Sequence, residues 1–456
     1  MNKSFRVIGA CVIVLAIHAA DVITHSSIAS EKKNAAVADA TVYPTTDGSD
    51  QADALQQAIN GLQTGQRLVF APGHYVVGHS LVVNSAQVVL SGYGATLVAT
   101  NPADQTIDMN GTDSTILGFT LIGTGTTRLT TPSTTKVEIT GTGIQVLDVK
   151  IRGGASAGIF IFGGTNVVIA GNTVQNTLAD GIHTTHGSQN VLVQDNTVTG
   201  TGDDMVAVVS YQSDGKLSNN VLITANTLSN NYWGRGISVV GGSNVSIIGN
   251  SVQGVQKAAG ILVAQEDSWR TFSASNVLIE KNVVANIQES TNVNNGLLPT
   301  EQAAIELDTS SGTVTQVSVM QNQVSGSAYA GFRALGNVCQ FLVSGNAFAS
   351  IADLPISLLT MNCPQNQMVV SGSNTLNGKT LTPPVGSVPT GILNVTGANL
   401  TLLPHIRNYL RQKTKASLTP DIDRCECMSP KTGGTSSDRG ERTLAELARR
   451  FDVHSN

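Results

Sequence analysis

Short runs of alternating apolar and polar residues, each closed by a tight polar turn, recur along the middle of the chain. "NVVIAGNTVQN", "NVLVQDNTVTG", "NVSIIGNSVQG" and "NVLIEKNVVAN" are four of them. Alternation with period two is the mark of a half-buried strand, and Gly, Asn and Asp mark the turns. The asparagine of each turn serves as an anchor: Asn172, Asn196, Asn226, Asn250, Asn282, Asn322 and Asn346. Their spacings are 24, 30, 24, 32, 40 and 24 residues. A base period with insertions signals a stacked-repeat architecture. Asp148 in "IQVLDVKIRG" reads as the same position one period upstream.

A 24-residue period with two or three short strands fits one coil of a parallel β-helix, whose neighbouring coils pair about 4.8 Å apart. An antiparallel sandwich offers no reason for a fixed period. The predicted fold is therefore all-β: a single-stranded right-handed parallel β-helix, the hand following from the preference of parallel crossovers. The anchor asparagines should form a column whose amides bond between coils. Upstream, "DGSDQADALQQAIN" places Asp50 to cap a helix carrying Ala54, Leu55, Ala58 and Ile59 on one face. Such an N-terminal capping helix would cover the open apolar end of the stack. The opening also resembles the pectate-lyase superfamily, whose members often start with an Asp-Gly stretch, a short helix and a strand followed by Pro-Gly, here Pro72-Gly73.

Both ends differ from this body. Lys3 and Arg6 precede the apolar run Val7 to Ala20, which reads as a signal peptide over 1–24, with an uncleaved anchor as the alternative. A linker over 25–40, the β-helix over 41–401 and a non-repeat tail over 402–456, disordered or partly helical, complete the division. Near its end, "GERTLAELARRFDVHSN" puts Leu444, Leu447, Ala448 and Phe451 at helical spacing behind a Thr443/Glu446 capping box; it resembles a truncated transposase helix-turn-helix. Export implies a secreted or periplasmic protein with no stable membrane association after cleavage. It also permits a disulfide between Cys339 and Cys363, which lie one period apart. A net charge of −5 gives no footing for nucleic acid.

The chemistry is carried by carboxylates. Aligning Ile182, Val206, Ile237 and Ile261 as inward residues puts Asp180, Asp204, Arg235 and Ala259 in one column, with Asp203 one residue nearer the turn. Acids packed this closely resist ionising together. A structural alternative, stacked Asp residues capping turns with Arg235 neutralising them, stands beside the catalytic one. "ADGI", "GDDMVAV" and "GRGISVVGG" resemble, in order, the Asn-Thr-Asp-Gly, Gly-Asp-Asp and Gly-His-Gly motifs of polygalacturonases. That resemblance implies a glycoside hydrolase in which Asp203 is the general acid and Asp180 with Asp204 hold and activate water. Inversion at the sugar would set acid and base about 6.5–9.5 Å apart. Ala179 replaces the motif's Thr, Arg235 stands where that family has His, and "GILVAQED" lacks its Arg-x-Lys, so galacturonan does not follow as substrate.

Tyr232, Trp233, His183, Glu266, Asp267 and Trp269 are the expected substrate-binding residues. His186, at i, i+3 from His183, suits no known zinc motif, while Glu306 and Asp308 read as solvated charges. The expected partner is a polysaccharide. No metal or cofactor is required for hydrolysis. A polysaccharide lyase acting on a uronate glycan, with calcium or Arg235 stabilising charge, is the second reading, and a non-catalytic glycan-binding β-helix the third.

Overall fold

A computed structural model describes residues 39–289, 298–382 and 395–400. The expected signal segment, nearly all of the linker and the tail after Leu400 lie outside the described residues. The rest is a single stack of coils built from three long sheets of 13, 11 and 13 strands. Each strand pairs in parallel with its counterpart one coil away, apart from one antiparallel pair, Thr375–Leu376 with Lys379–Thr380, at the C-terminal end. Alternation in sequence becomes alternation of facing: Val206, Val208, Ile237 and Val239 have no exposure and lie in the central core, while the residues between them point out of the coil.

The asparagine column forms as a ladder. Asn196 Oδ1 accepts both the backbone N–H and the side-chain Nδ2 of Asn172, each at 2.9 Å, and Asn196 Nδ2 donates to Asn226 Oδ1 and to the carbonyl of Ile169. The same pattern runs through Asn250, Asn282, Asn322 and Asn346, and ends on Asn374, an eighth member that the sequence reading omitted. Immediately before each of the anchors from Asn172 to Asn346 stands a left-handed residue, such as Gly171 (φ 69°), Asp195 (φ 53°) or Ala225 (φ 56°). Asp148 (φ 53°) occupies that turn position, so it is not a ladder member. Val149 takes the ladder place, and its N–H donates to Asn172 Oδ1 at 2.9 Å.

The N-terminal helix, Ala52–Asn60, buries Ala52, Leu55 and Ile59 against the stack, whereas Ala54 faces solvent. Asp50 still accepts the N–H of Ala52 at 2.9 Å, along with that of Gly78, although the residue directly before the helix is Gln51. Gln56 bonds the N–H and carbonyl of Val82 in the edge strand Leu81–Val83, so the helix covers polar as well as apolar surface. Far along the chain, residues 395–400 lie across three successive strands of one sheet. Thr396 and Gly397 donate their N–H groups to Asn276, Ala398 to Ser246 and Asn399 to Asn220. Cys339 and Cys363 sit one coil apart and are joined by a disulfide, with Cα atoms 5.3 Å apart.

Candidate active site

Ile182 pairs with Val206, Val206 with Ile237 and Ile237 with Ile261. Asp180, Asp204 and Arg235 are thus stacked at the mouths of three adjacent strands of the 11-stranded sheet. One oxygen from each of Asp180, Asp203 and Asp204 lies within 4.8 Å of one from each of the others. That nearest approach is shorter than the separation expected for acid and base on opposite sides of a sugar, because the three acids come from coils a single β-spacing apart. Gly234 packs directly against this turn: its φ is +68°, and a Cβ there would lie 2.6 Å from Asp203.

Each acid has distinct partners. Asp180 Oδ2 lies 2.7 Å from His183 Nδ1. Asp203, the most accessible of the three, pairs with Arg128 at 2.7 Å. Asp204 accepts the Arg235 N–H at 2.6 Å through one oxygen and the Ser238 hydroxyl through the other. Burial pushes the Asp204 carboxyl up to about 7, against the pull of Arg235, with Asp203 and Asp180 pushing further up. Burial and then Asp180 raise Asp203 as well, while Arg128 and Arg235 pull it down. Protons in such a cluster belong to the group rather than to single residues. Arg235 is held cationic: burial opposes its charge, but Asp204, Glu266 and Asp203 outweigh that, and Glu266 Oε1 accepts from its Nη2 at 2.6 Å.

Around these groups lies a cleft of about 390 Å³. His183, Trp233, Glu266 and Trp269 line it, as expected from the sequence. Tyr232 does not line it; a Cβ on Gly202 would lie 2.6 Å from the tyrosine hydroxyl, so the ring packs behind the Gly-Asp-Asp turn. Asp267 is also off the cleft, its Oδ1 accepting from Gln265 at 2.9 Å and Ser311 at 2.7 Å. Glu306 is no solvated charge: it has no exposure, pairs with Arg333 at 2.8 Å and accepts the Ala303 N–H. The acidic trio could offer oxygens to a divalent cation such as the calcium of the lyase reading, and Arg128, the Arg235 backbone N–H and Ser238 hold Asp203 and Asp204 in place.

Among the lining or supporting residues that escaped the sequence reading are Arg128, Phe160, Tyr211 and Ser238. Arg128 lies in the connection between strands Thr120–Ile122 and Val137–Ile139, a stretch without repeat pattern. Phe160 and Tyr211 line the cleft from its floor, and Ser238 holds Asp204. Phe160 had a legible signal, since it alternates with inward Ile159 and Ile161 and must face outward.

Solved structures share the architecture at low identity. The chain is 15% identical to an exopolygalacturonase from Thermotoga maritima, with a TM-score of 0.59 over 76% of this chain and 94% of that one. It is 16% identical to the A-module of the mannuronan C-5 epimerase AlgE6 of Azotobacter vinelandii, with a TM-score of 0.51 over 72% and 95%. A GH87 alpha-1,3-glucanase from Streptomyces thermodiastaticus gives 16% identity and a TM-score of 0.51 over 76% and 71%. No curated protein matches the chain significantly in sequence. The model of the right handed beta helix region matches residues 107–252 and 208–348, which together span more than half of the chain, and the chain belongs to that family.

Proposed function

We propose that this protein is an exported glycoside hydrolase that cleaves a polysaccharide, with Asp203 as proton donor and Asp180 and Asp204 holding and activating water. The observation that carries this reading is the trio itself: three acids on adjacent coils, in a cleft, two of them with raised proton affinity. Burial raises the proton affinity of Asp203, which favours donation to a leaving glycosidic oxygen, while an ionised neighbour in the shared cluster can take a proton from water. Asp203 suits the donor role because it is the most accessible of the three. Structural neighbours bearing the names exopolygalacturonase, alpha-1,3-glucanase and mannuronan epimerase lend support, since all three act on polysaccharides. A disulfide between Cys339 and Cys363 favours an oxidising compartment.

The lyase alternative needs a free base beside a uronate carboxylate, and the Arg235 guanidinium is paired with Glu266 and held cationic. A panel of neutral and acidic polysaccharides, read for new reducing ends and for ultraviolet absorbance, tests the proposal. Reducing ends without absorbance are expected. An absorbing, unsaturated product would replace hydrolysis by elimination, and no turnover on any glycan would leave a binding protein. The anomer released first, followed by proton NMR, reads whether the close-set trio inverts or retains.

A further inference from the structure

The outward face of the 11-stranded sheet forms the floor of the groove, and its residues can be read coil by coil. Asp108 pairs in register with Glu138, Glu138 with Phe160 and Phe160 with His183. Phe160 stacks with Phe162 at 5.6 Å between ring centroids, His183 leans on Phe160 at 5.2 Å and His186 stacks on Phe162 at 4.0 Å. Four rings therefore make a shelf on the N-terminal side of the acid trio. On the other side the floor is apolar: Ala207, Val209, Val240, Leu262 and Ala264 form one cluster, with Tyr211 packed against it.

The charges along this floor are paired or acidic. Each arginine at the cleft is matched by an acid, Arg128 by Asp203 and Arg235 by Glu266. The next one along the floor, Arg333, is matched by Glu306. Lys257 at the rim lies over the Trp233 ring at 4.9 Å and donates to the carbonyl of Leu298. Beyond the shelf, Asp108 and Glu138 face each other with no cation shaping either of them, and Asp108 Oδ1 is buried without a partner. Among the described residues, a polyuronate would find every floor arginine already paired with an acid, and carboxylates at the end of the floor.

His183 supplies the second observation. It is 7% exposed, lines the cleft, and its Nε2 has no hydrogen-bond partner. Its Nδ1 faces a carboxylate oxygen, an acceptor, so Nδ1 carries a proton. A buried ring nitrogen without a partner beside an aromatic shelf suits a sugar hydroxyl, which can either donate or accept.

We infer, resting on the reading of this cleft as a glycan site, that its substrate is an uncharged polysaccharide, whose sugar next to the acid trio lies on Phe160 with a hydroxyl paired to His183. The stacking and hydroxyl contacts give affinity that salt does not screen.

Binding to the Asp203→Asn variant, measured by titration calorimetry, separates this inference from catalysis. The panel is soluble neutral glucans and galactans against polygalacturonate and alginate, each at about 0.05 M and 0.5 M salt. Binding of a neutral glycan that is unchanged by salt and weakened about tenfold by Phe160→Ala is expected, the loss equivalent to about 1.4 kcal/mol. Thermal melting of the Phe160→Ala variant checks that it folds, and Tyr43→Ala, at an exposed site, serves as control. Tighter binding of a polyuronate, or no binding across the panel, overturns the inference. If neutral glycan binds yet the native protein never cleaves it, the hydrolase reading fails and this one stands. If polyuronate is hydrolysed, this one fails and hydrolysis stands.

Discussion

Arg128 and Asp203 meet at 2.7 Å from different coils, one in the connection after Thr120–Ile122 and the other at the mouth of Val206–Val209. The guanidinium draws the Asp203 proton affinity down against burial. Arg128→Gln should therefore let that carboxyl hold its proton to higher pH. The basic limb of the pH dependence of kcat/KM should move up by about one unit, the direction set by loss of a nearby opposite charge. An unmoved limb would show that Arg128 does not tune the donor.

Asp180→Asn, Asp203→Asn and Asp204→Asn keep size and remove the titrating group. Each should cut turnover on an identified glycan by about 10²-fold or more, with far-ultraviolet circular dichroism unchanged. Full activity in the Asp203 and Asp180 variants would remove the proposed site.

Much of this arrangement is legible in the chain because a solenoid converts sequence distance into spatial distance. The alignment of Ile182, Val206, Ile237 and Ile261 could be read from spacing and alternation alone, and it fixed the column holding Asp180, Asp204 and Arg235. Asp148 was misplaced by one residue because a left-handed Asp and a ladder Asn look alike in a turn. Asn374 was missed because the strand before it, Met368–Val370, is only three residues long and shows little alternation. Arg128 was invisible for a different reason: no periodicity says which coil a long connection will lean over. Tyr232 and Asp267 show the same gap, since loop residues next to a site can point elsewhere.

The ladder makes a stability prediction. Asn250→Ala strips Asn226 of the acceptor for two buried donors, and removes the bond to Asn282 and the one to the Ile223 carbonyl. Leaving buried groups unpaired costs about 1–3 kcal/mol each before relaxation. A loss of about 3 kcal/mol or more in urea unfolding is expected, against a change under about 0.5 kcal/mol for an exposed turn substitution.

Two buried ionisable groups give opposite pH slopes. Burial raises Glu138 to about 7, so the folded state binds more protons than the unfolded state between the usual carboxylate range and pH 7. Its contribution is complete at low pH and is lost as pH rises through about 7. Burial lowers Lys136 to about 7, so between there and its unfolded value of 10.5 the unfolded state binds more protons and stability rises with pH. The limit for one such group is about 1.4 kcal/mol per pH unit. Glu138→Gln should stabilise the protein by about 1–3 kcal/mol at pH 8 and little at pH 4. Lys136→Met should flatten the rise above pH 7. Denaturant midpoints across pH 4–10 check both.

Reduction of the Cys339–Cys363 bond frees a loop of one coil near the C-terminal end of the stack. Cys363→Ser should lower stability by about 2–4 kcal/mol, and added reductant should then have no further effect on melting.

A coil stack ordinarily behaves as a chain of nearest neighbours, able to fray one unit at a time from either end. Residues 395–400 break that rule by bonding to Asn276, Ser246 and Asn220 on three successive strands. Fraying that starts at the last coils and works inward meets a crossbar there, because the coil carrying Asn276 cannot leave without also shedding contacts that belong to its neighbours. The middle coils, which carry the Gly-Asp-Asp turn and Arg235, are thereby made to melt as a block.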